Sequence, residues 1–345
     1  MRRRSTILTA AAGIVAATSL LLTGCVAGEG AAAGSESTAG VTKGGTLNID
    51  FATYNPLSLV IKKEGWLEKA LKKQDITVNW VQSAGSNKAN EALRSGAIDV
   101  GSTAGSAALL ARSNGSAIKT IDIYSQPEWS AIVVGPNSPI TSVKELKGKQ
   151  VAATKGTDPY FFLLQSLEAN GLSASDVTIQ NLQHADGWAA LQNGSVDAWS
   201  GLDPIMANAE KSGAKLIYRN VKFNTYGFLN ATESFLSSKP DVAQTVVNTY
   251  EYARAWAQKH PDETAKILSD VAGIDPAVAT TVITQRTNLD VSNVPGKAQL
   301  AVLKKVGPIF VQSGDVRSQA DIDKALDTLL DPTFAKKADP GAIGG

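Results

Sequence analysis

One order of elements occurs twice along this chain of 345 residues, and that repetition restricts the fold more than any other feature. From Thr46, short β-rich runs alternate with helical stretches. Thr46 to Ala52 predicts a strand, Leu57 to Lys72 a helix, and Ile76 to Gln82 a second strand. A helix from Asn87 to Arg94, stopped by Gly96, leads to a third strand from Ile98 to Thr103. The order then returns: strand Gln150 to Lys155, helix Tyr160 to Asn170 stopped by Gly171, and strand Val177 to Gln183. A helix through Ala190 and Leu191, stopped at Gly194, precedes the strand Val196 to Ser200. A βαβαβ order calls for a mainly parallel sheet flanked by helices, so the fold class is α/β.

The residues repeat as well as the elements. Ile76-Thr77-Val78-Asn79-Trp80-Val81-Gln82 parallels Val177-Thr178-Ile179-Gln180-Asn181-Leu182-Gln183. Ala92-Leu93-Arg94-Ser95-Gly96-Ala97-Ile98-Asp99 parallels Ala190-Leu191-Gln192-Asn193-Gly194-Ser195-Val196-Asp197. A period of about a hundred residues exceeds the ~20–50 of solenoids and fits two similar lobes. The alternative is a generic joint, because Gly is the favoured residue just past any helix.

Strands at Ile118–Ser125 and Ala131–Gly135 are placed to carry the chain between lobes, and Tyr226–Thr232 to return it. From Phe235 the pattern turns helical, with Ala243, Val246, Val247, Tyr250 and Ala253 at three- and four-residue spacing. The expected organisation is lobe 1 over 45–134, lobe 2 over 135–231, C-terminal helices completing lobe 1 over 232–337, and a frayed tail over 338–345.

The N-terminus reads as an address. Arg2, Arg3 and Arg4 precede an apolar stretch from about Ile7 to Leu22, the layout of an export signal. Leu22-Thr23-Gly24-Cys25 resembles the lipobox of bacterial lipoproteins, which implies cleavage before Cys25 and lipidation of its thiol. Residues 26–44 are nearly all small or polar and predict a flexible tether. The expected location is extracytoplasmic, on the cell membrane.

Charge and composition exclude several functions. Lys and Arg total 33 against 32 Asp and Glu, so nothing drives binding to a phosphate backbone. One cysteine permits no internal disulfide, and with only two histidines, His184 and His260, a Cys/His zinc site is not expected. No Gly-x-Ser-x-Gly elbow, Walker run or dinucleotide fingerprint occurs. Neither an enzyme nor a cofactor is expected.

Ligands of open parallel sheets bind beyond the carboxyl ends of the strands, where helices begin. A helix start offers unpaired N–H groups and partial positive charge, a site for an anion. The junctions here are Tyr54-Asn55-Pro56-Leu57-Ser58, Ser83-Ala84-Gly85-Ser86, Thr103-Ala104-Gly105-Ser106 and Lys155-Gly156-Thr157-Asp158-Pro159. They supply Asn55, Ser58, Ser83, Ser106 and Thr157 as candidate ligand contacts, against the plainer reading that such residues cap helices. Trp129 at the crossover and Trp199 at the end of the strand Val196–Ser200 are candidate covers for an apolar ligand tail, with core packing the alternative for Trp199. Asp203, before Pro204, reads as a helix cap or a ligand contact, and Arg286 as the C-terminal arginine nearest a cleft.

From Thr46 to Leu330 the chain resembles the aliphatic sulfonate-binding proteins of ABC importers, within a group that binds taurine, nitrate and pyrimidine precursors. The resemblance rests on Glu91-Ala92-Leu93-Arg94-Ser95-Gly96-Ala97-Ile98-Asp99-Val100-Gly101-Ser102-Thr103, Lys155-Gly156-Thr157, Val196-Asp197-Ala198-Trp199 and Leu202-Asp203-Pro204. It implies a two-lobed periplasmic-binding-protein-like fold of type II, hinge closure on a small anion, and a permease with its ATPase as partners of a monomer. It also implies ligand roles for Ser58, Ser106, Thr157, Trp199, Asp203 and Arg286. Pro56-Leu57 before Ser58, and Leu202 and Ile205 around Asp203-Pro204, depart from the family pattern and leave the particular anion open. A sensory binding protein would read the same, whereas an enzyme of the pyrimidine-precursor kind would need reactive His and Cys residues.

Overall fold

The computed structural model describes residues 41–343. The signal, Cys25 and the tether up to residue 40 lie outside the described residues. Ten strands run in chain order: β1 (Thr46–Phe51), β2 (Thr77–Gln82), β3 (Val100–Ala104), β4 (Ile118–Ser125) and β5 (Ser130–Val134). They continue as β6 (Gln150–Ala153), β7 (Thr178–Asn181), β8 (Ala198–Leu202), β9 (Lys215–Tyr218) and β10 (Gly227–Thr232). They form two five-stranded sheets with orders β2-β1-β3-β10-β4 and β7-β6-β8-β5-β9. The orders correspond strand for strand, which favours two similar lobes over a generic joint.

Both sheets are mixed. β10 runs antiparallel between β3 and β4, and β5 antiparallel between β8 and β9. Each lobe thus receives one strand from the far side of a crossover. β5 falls within the stretch assigned to lobe 1 and β10 within that assigned to lobe 2, yet each is hydrogen-bonded into the other sheet. A boundary drawn on sequence cannot see this, because strand partners far apart along the chain leave no local mark.

The repeat extends to individual atoms. Asp99 accepts the N–H of Asn48 (2.8 Å) and donates its own N–H to the Asn48 carbonyl (2.7 Å). Asp197 does the same with Gln150, at 2.8 and 2.9 Å. Gly96 and Gly194 end the preceding helices at φ of 72° and 75°, in the left-handed region open to glycine. The side-chain pair Asn79–Asn48 (2.9 Å) recurs as Gln180–Gln150 (3.0 Å).

The C-terminal helices pack mainly on lobe 1. Helix Pro240–Lys259 buries Val246, Val247 and Tyr250 among Leu57, Ile61 and Ile121. Helix Lys297–Gln312 places Phe310 against Phe161 of lobe 2, with ring centroids 4.3 Å apart. The helix expected over Leu57–Lys72 is broken at Gly65, whose φ of 65° ends Pro56–Glu64 before Trp66–Leu71 begins. Both ends of the described residues are held more firmly than their composition suggests. Thr42 donates its N–H to Asp241 (2.7 Å), and Asp339 its N–H to Asn248 (2.9 Å), so 41–44 and 338–343 lie against the helix Pro240–Lys259. Small polar residues carry no apolar periodicity, yet their backbone can still be tied by long-range hydrogen bonds. Among the described residues no helix is long and apolar enough to cross a membrane.

Candidate functional site

The lobes meet where strands give way to helices, and the seam is built from both crossovers. Gln126 to Trp129 carries the chain out, and Arg219 to Tyr226 brings it back. Glu128 and Arg219 pair at 2.7 Å across the two segments, and Ser130 donates its N–H to Asn224 (2.8 Å). Gln126 and Glu128 also donate their N–H groups to the carbonyls of Asn288 and Arg286, tying the crossover to the C-terminal segment.

At the centre sits a residue not singled out from the sequence. Asp158 opens helix Asp158–Ala169 of lobe 2, is 1% exposed, and accepts four hydrogen bonds. Its Oδ1 receives Ser106 Oγ (2.5 Å) and Thr225 Oγ1 (2.7 Å). Its Oδ2 receives Trp129 Nε1 (2.8 Å) and the Thr225 N–H (2.7 Å). Burial pushes the carboxyl above the usual carboxylate range, while the four donors pull it back. The Asp-Pro after Lys155-Gly156-Thr157 was the available signal, but it reads as an ordinary helix start.

Two small cavities adjoin this point and share Tyr54 and Trp129, whose rings meet edge to face at 6.2 Å. One is lined by Trp129, Asp203, Arg286 and Pro56, the other by Ser86, Ala104, Thr157 and Asp158. Each has a volume of about 10 Å³, room for one water. Helix starts do face the seam, but the open gap expected between lobes is nearly filled by side chains. Larger grooves of about 530 and 550 Å³ lie elsewhere, beside Arg112 and Lys324 and beside Lys155 and Ile309.

The helix starts differ in what closes them. Helix Pro56–Glu64 is capped by Asn55, whose Oδ1 accepts the Ser58 N–H (3.4 Å). Helix Gly105–Ser113 has its first N–H groups taken by Tyr226 O (2.9 Å) and Thr225 Oγ1 (3.1 Å). Helices Ser86–Ser95, Asp158–Ala169 and His184–Gln192 carry no side-chain cap. Thr157, in the capping place before Asp158, instead donates its hydroxyl to the Thr154 carbonyl (2.6 Å).

The nominated residues therefore divide. Ser106, Trp129, Thr157, Asp203 and Arg286 come together at the seam. Arg286 bridges from the C-terminal segment to Asp203 of lobe 2 at 3.1 Å and also pairs with Glu210. Asp203 caps its own helix as well, accepting the Ala207 N–H at 2.9 Å. Burial pushes Asp203 up to about 6 despite the guanidinium beside it.

Asn55, Ser58 and Ser83 are instead buried within lobe 1. Ser58 Oγ donates to the Asn55 carbonyl (2.7 Å) and accepts the Ala52 N–H (3.1 Å), so its hydrogen-bonding capacity is spent locally. Ser83 lies by Asp50, whose carboxyl burial pushes up to about 7. Trp199 is fully buried in lobe 2 among Ala131, Val133, Ala152 and Met206, with Trp188 beside it. It is a core residue: β8 is the middle strand of its sheet and is buried at all five positions, so side chains on either face pack inward.

A chain with this topology and seam can be set beside known proteins. The family model described as "NMT1/THI5 like" matches residues 59–264. A putative aliphatic sulfonates-binding protein of Bacillus subtilis (strain 168) is 32% identical over 294 residues, covering 83% of this chain and 85% of the relative. This chain belongs to the NMT1/THI5-like family. A putative aliphatic sulfonates-binding protein of Escherichia coli (strain K12) is 28% identical, covering 72% and 79%. Among solved structures, the alkanesulfonate-binding protein SsuA from Xanthomonas axonopodis pv. citri, bound to MOPS, superposes with a TM-score of 0.75. It is 25% identical, covering 83% of this chain and 99% of that one. The two-lobed type II fold is thus shared with binding proteins of the NMT1/THI5-like family. The same architecture extends to the desulfurization enzyme DSZB, at 15% identity and a TM-score of 0.62, covering 85% of this chain and 98% of that one.

Proposed function

We propose that this chain is the extracytoplasmic solute-binding component of an ABC importer, closing its two lobes on a small anionic organic ligand of the aliphatic sulfonate class. One observation carries the reading. Helix starts from both lobes, Ser86–Ser95 and Asp158–Ala169, neither closed by a side-chain cap, line a single cavity with Tyr54 and Trp129. Oriented N–H groups from two directions favour an anion without needing a free cation. The aromatic pair suits a short apolar tail. The names of the relatives point the same way.

With cavities this small, the ligand enters when the lobes part and is held when they close around it. A permease then recognises the closed form, and its ATPase drives transfer. Cys25, lipidated, holds the monomer at the membrane. No covalent step is required, which separates this reading from that of an enzyme on the same fold.

A thermal-shift and calorimetric screen with alkanesulfonates, taurine, nitrate and thiamine-type pyrimidines tests the ligand class. A true ligand at a hundred times its Kd adds about 2.7 kcal/mol to the folded state. If no sulfonate stabilises the protein and a pyrimidine does, the sulfonate assignment fails. Replacing Cys25 with Ser is expected to move the protein from the membrane fraction to the soluble one; retention on the membrane would refute the anchor.

A further inference from the structure

Ser106 was nominated as a ligand contact for its hydroxyl and Trp129 as a cover for an apolar tail, yet here both donate to a carboxylate of the protein itself. Asp158 takes the Ser106 hydroxyl from lobe 1, the Trp129 indole N–H from the outgoing crossover, and the N–H and hydroxyl of Thr225 from the returning one. Four donors on two oxygens fill the acceptor capacity of a carboxylate. Ser106 lies on lobe 1, Thr225 just before β10 of the lobe 1 sheet, and Trp129 just before β5 of the lobe 2 sheet, where its carbonyl accepts the Asp203 N–H at 3.0 Å, so Asp158 ties lobe 2 to lobe 1 through Ser106 and Thr225. The cavities on either side of Trp129 hold about 10 Å³ each, too little for the head group of a sulfonate.

We propose that Asp158 is a tethered stand-in for the acid group of the ligand, a clasp that closes the lobes on themselves and competes with the ligand for the same donors. The proposal rests on the binding reading given above. A clasped form without room for a ligand and a ligand-bound form are mutually exclusive. Whatever stabilises the clasp therefore lowers apparent affinity by the fraction of molecules it occupies. Asp158 is a specificity-determining residue in this sense: only an acid group that outbids a carboxylate already in place is taken up.

The clasp is tested first without any ligand. The chain has six tryptophans, and the indole N–H of Trp129 is assigned by its loss in Trp129→Phe. Its exchange with solvent is expected to be slow in the parent protein and at least about tenfold faster in Asp158→Ala, with a larger radius of gyration in X-ray scattering. Equal exchange and equal radius in the two proteins would overturn the clasp. Competition is tested by calorimetry with methanesulfonate, butanesulfonate and MOPS. Affinity is expected to rise about tenfold in Asp158→Ala and Asp158→Asn.

A folded Asp158→Asn variant that binds these probes more weakly would show that Asp158 serves the ligand instead of opposing it, and would sink the proposal. Asp158→Asn also covers the case in which the alanine variant does not fold. Its amide keeps the shape, and its NH2 finds acceptors in the rotatable hydroxyls of Ser106 and Thr225. If no sulfonate binds parent or variants, the ligand class is wrong, and Trp129 exchange and scattering alone decide the clasp.

Discussion

Arg286 and Asp203 lie 83 residues apart in sequence and form a two-point ion pair, with Nη1 at 3.1 and 3.2 Å from the two carboxylate oxygens. Both side chains are almost fully buried, at 6% and 4% exposure. The pair joins the C-terminal segment to lobe 2, so it also resists separation of the lobes.

Removing one member strands the other. Arg286→Met is expected to cost about 3 kcal/mol of stability, because a buried carboxylate without its partner is expensive. Asp203, already pushed up to about 6, escapes the cost by taking a proton, so the loss should be larger at pH 8 than at pH 5. Urea denaturation at the two pH values measures this. Equal losses at both would show that Asp203 does not carry the charge assigned to it.

Gly227 begins β10 directly after the returning crossover, pressed against Tyr124 of β4. A Cβ built there would come closer to the fully buried Tyr124 ring than van der Waals contact allows. Gly227→Ala should therefore destabilise by about 1–3 kcal/mol through overpacking. A melting temperature unchanged from the parent would mean that the ring has room to withdraw.

Two buried groups give opposing pH slopes. Asp50 is raised to about 7 by burial, so the folded form holds a proton that the unfolded form has released above about pH 4. Its contribution is present at low pH and is lost as pH rises towards 7. His184 is lowered to about 4 by burial, so the unfolded form binds the extra proton below about pH 6.5. Its contribution is present above that pH and is lost as pH falls towards 4. Asp50→Asn should make stability climb more steeply between pH 4 and 6.5, and His184→Gln should flatten it. Denaturation midpoints across that range check both signs.

The matched aspartates offer a test of the repeat. Asp99→Ala and Asp197→Ala each remove the carboxylate that accepts a main-chain N–H, from Asn48 and from Gln150, and Asp99→Ala also removes a long contact from the Asn48 amide at 3.4 Å. Each is expected to cost about 1 kcal/mol. A cost for one several times that of the other would show that the shared geometry does not bring shared energetics.

Much of the framework was legible because it is local. Apolar runs of strand length, helices ended by Gly96, Gly171 and Gly194, and the paired Asp99 and Asp197 are properties of a few neighbouring residues. The seam residues were legible only in part. Ser106, Trp129, Thr157, Asp203 and Arg286 were named and do gather there, but the same reasoning also named Ser58 and Trp199, which packing draws inward. A serine at a helix start and a tryptophan at a strand end look alike whether they face a cleft or a core.

By itself, the order of residues determined that two like lobes would form, since backbone periodicity and left-handed glycine caps act within a few positions. Tertiary structure alone decided which sheet β5 and β10 join, and that Asp158 would draw Ser106, Trp129 and Thr225 to one point. Hydrogen bonds and burial depend on distance in space, and the chain brings those groups together only once both lobes have folded and met.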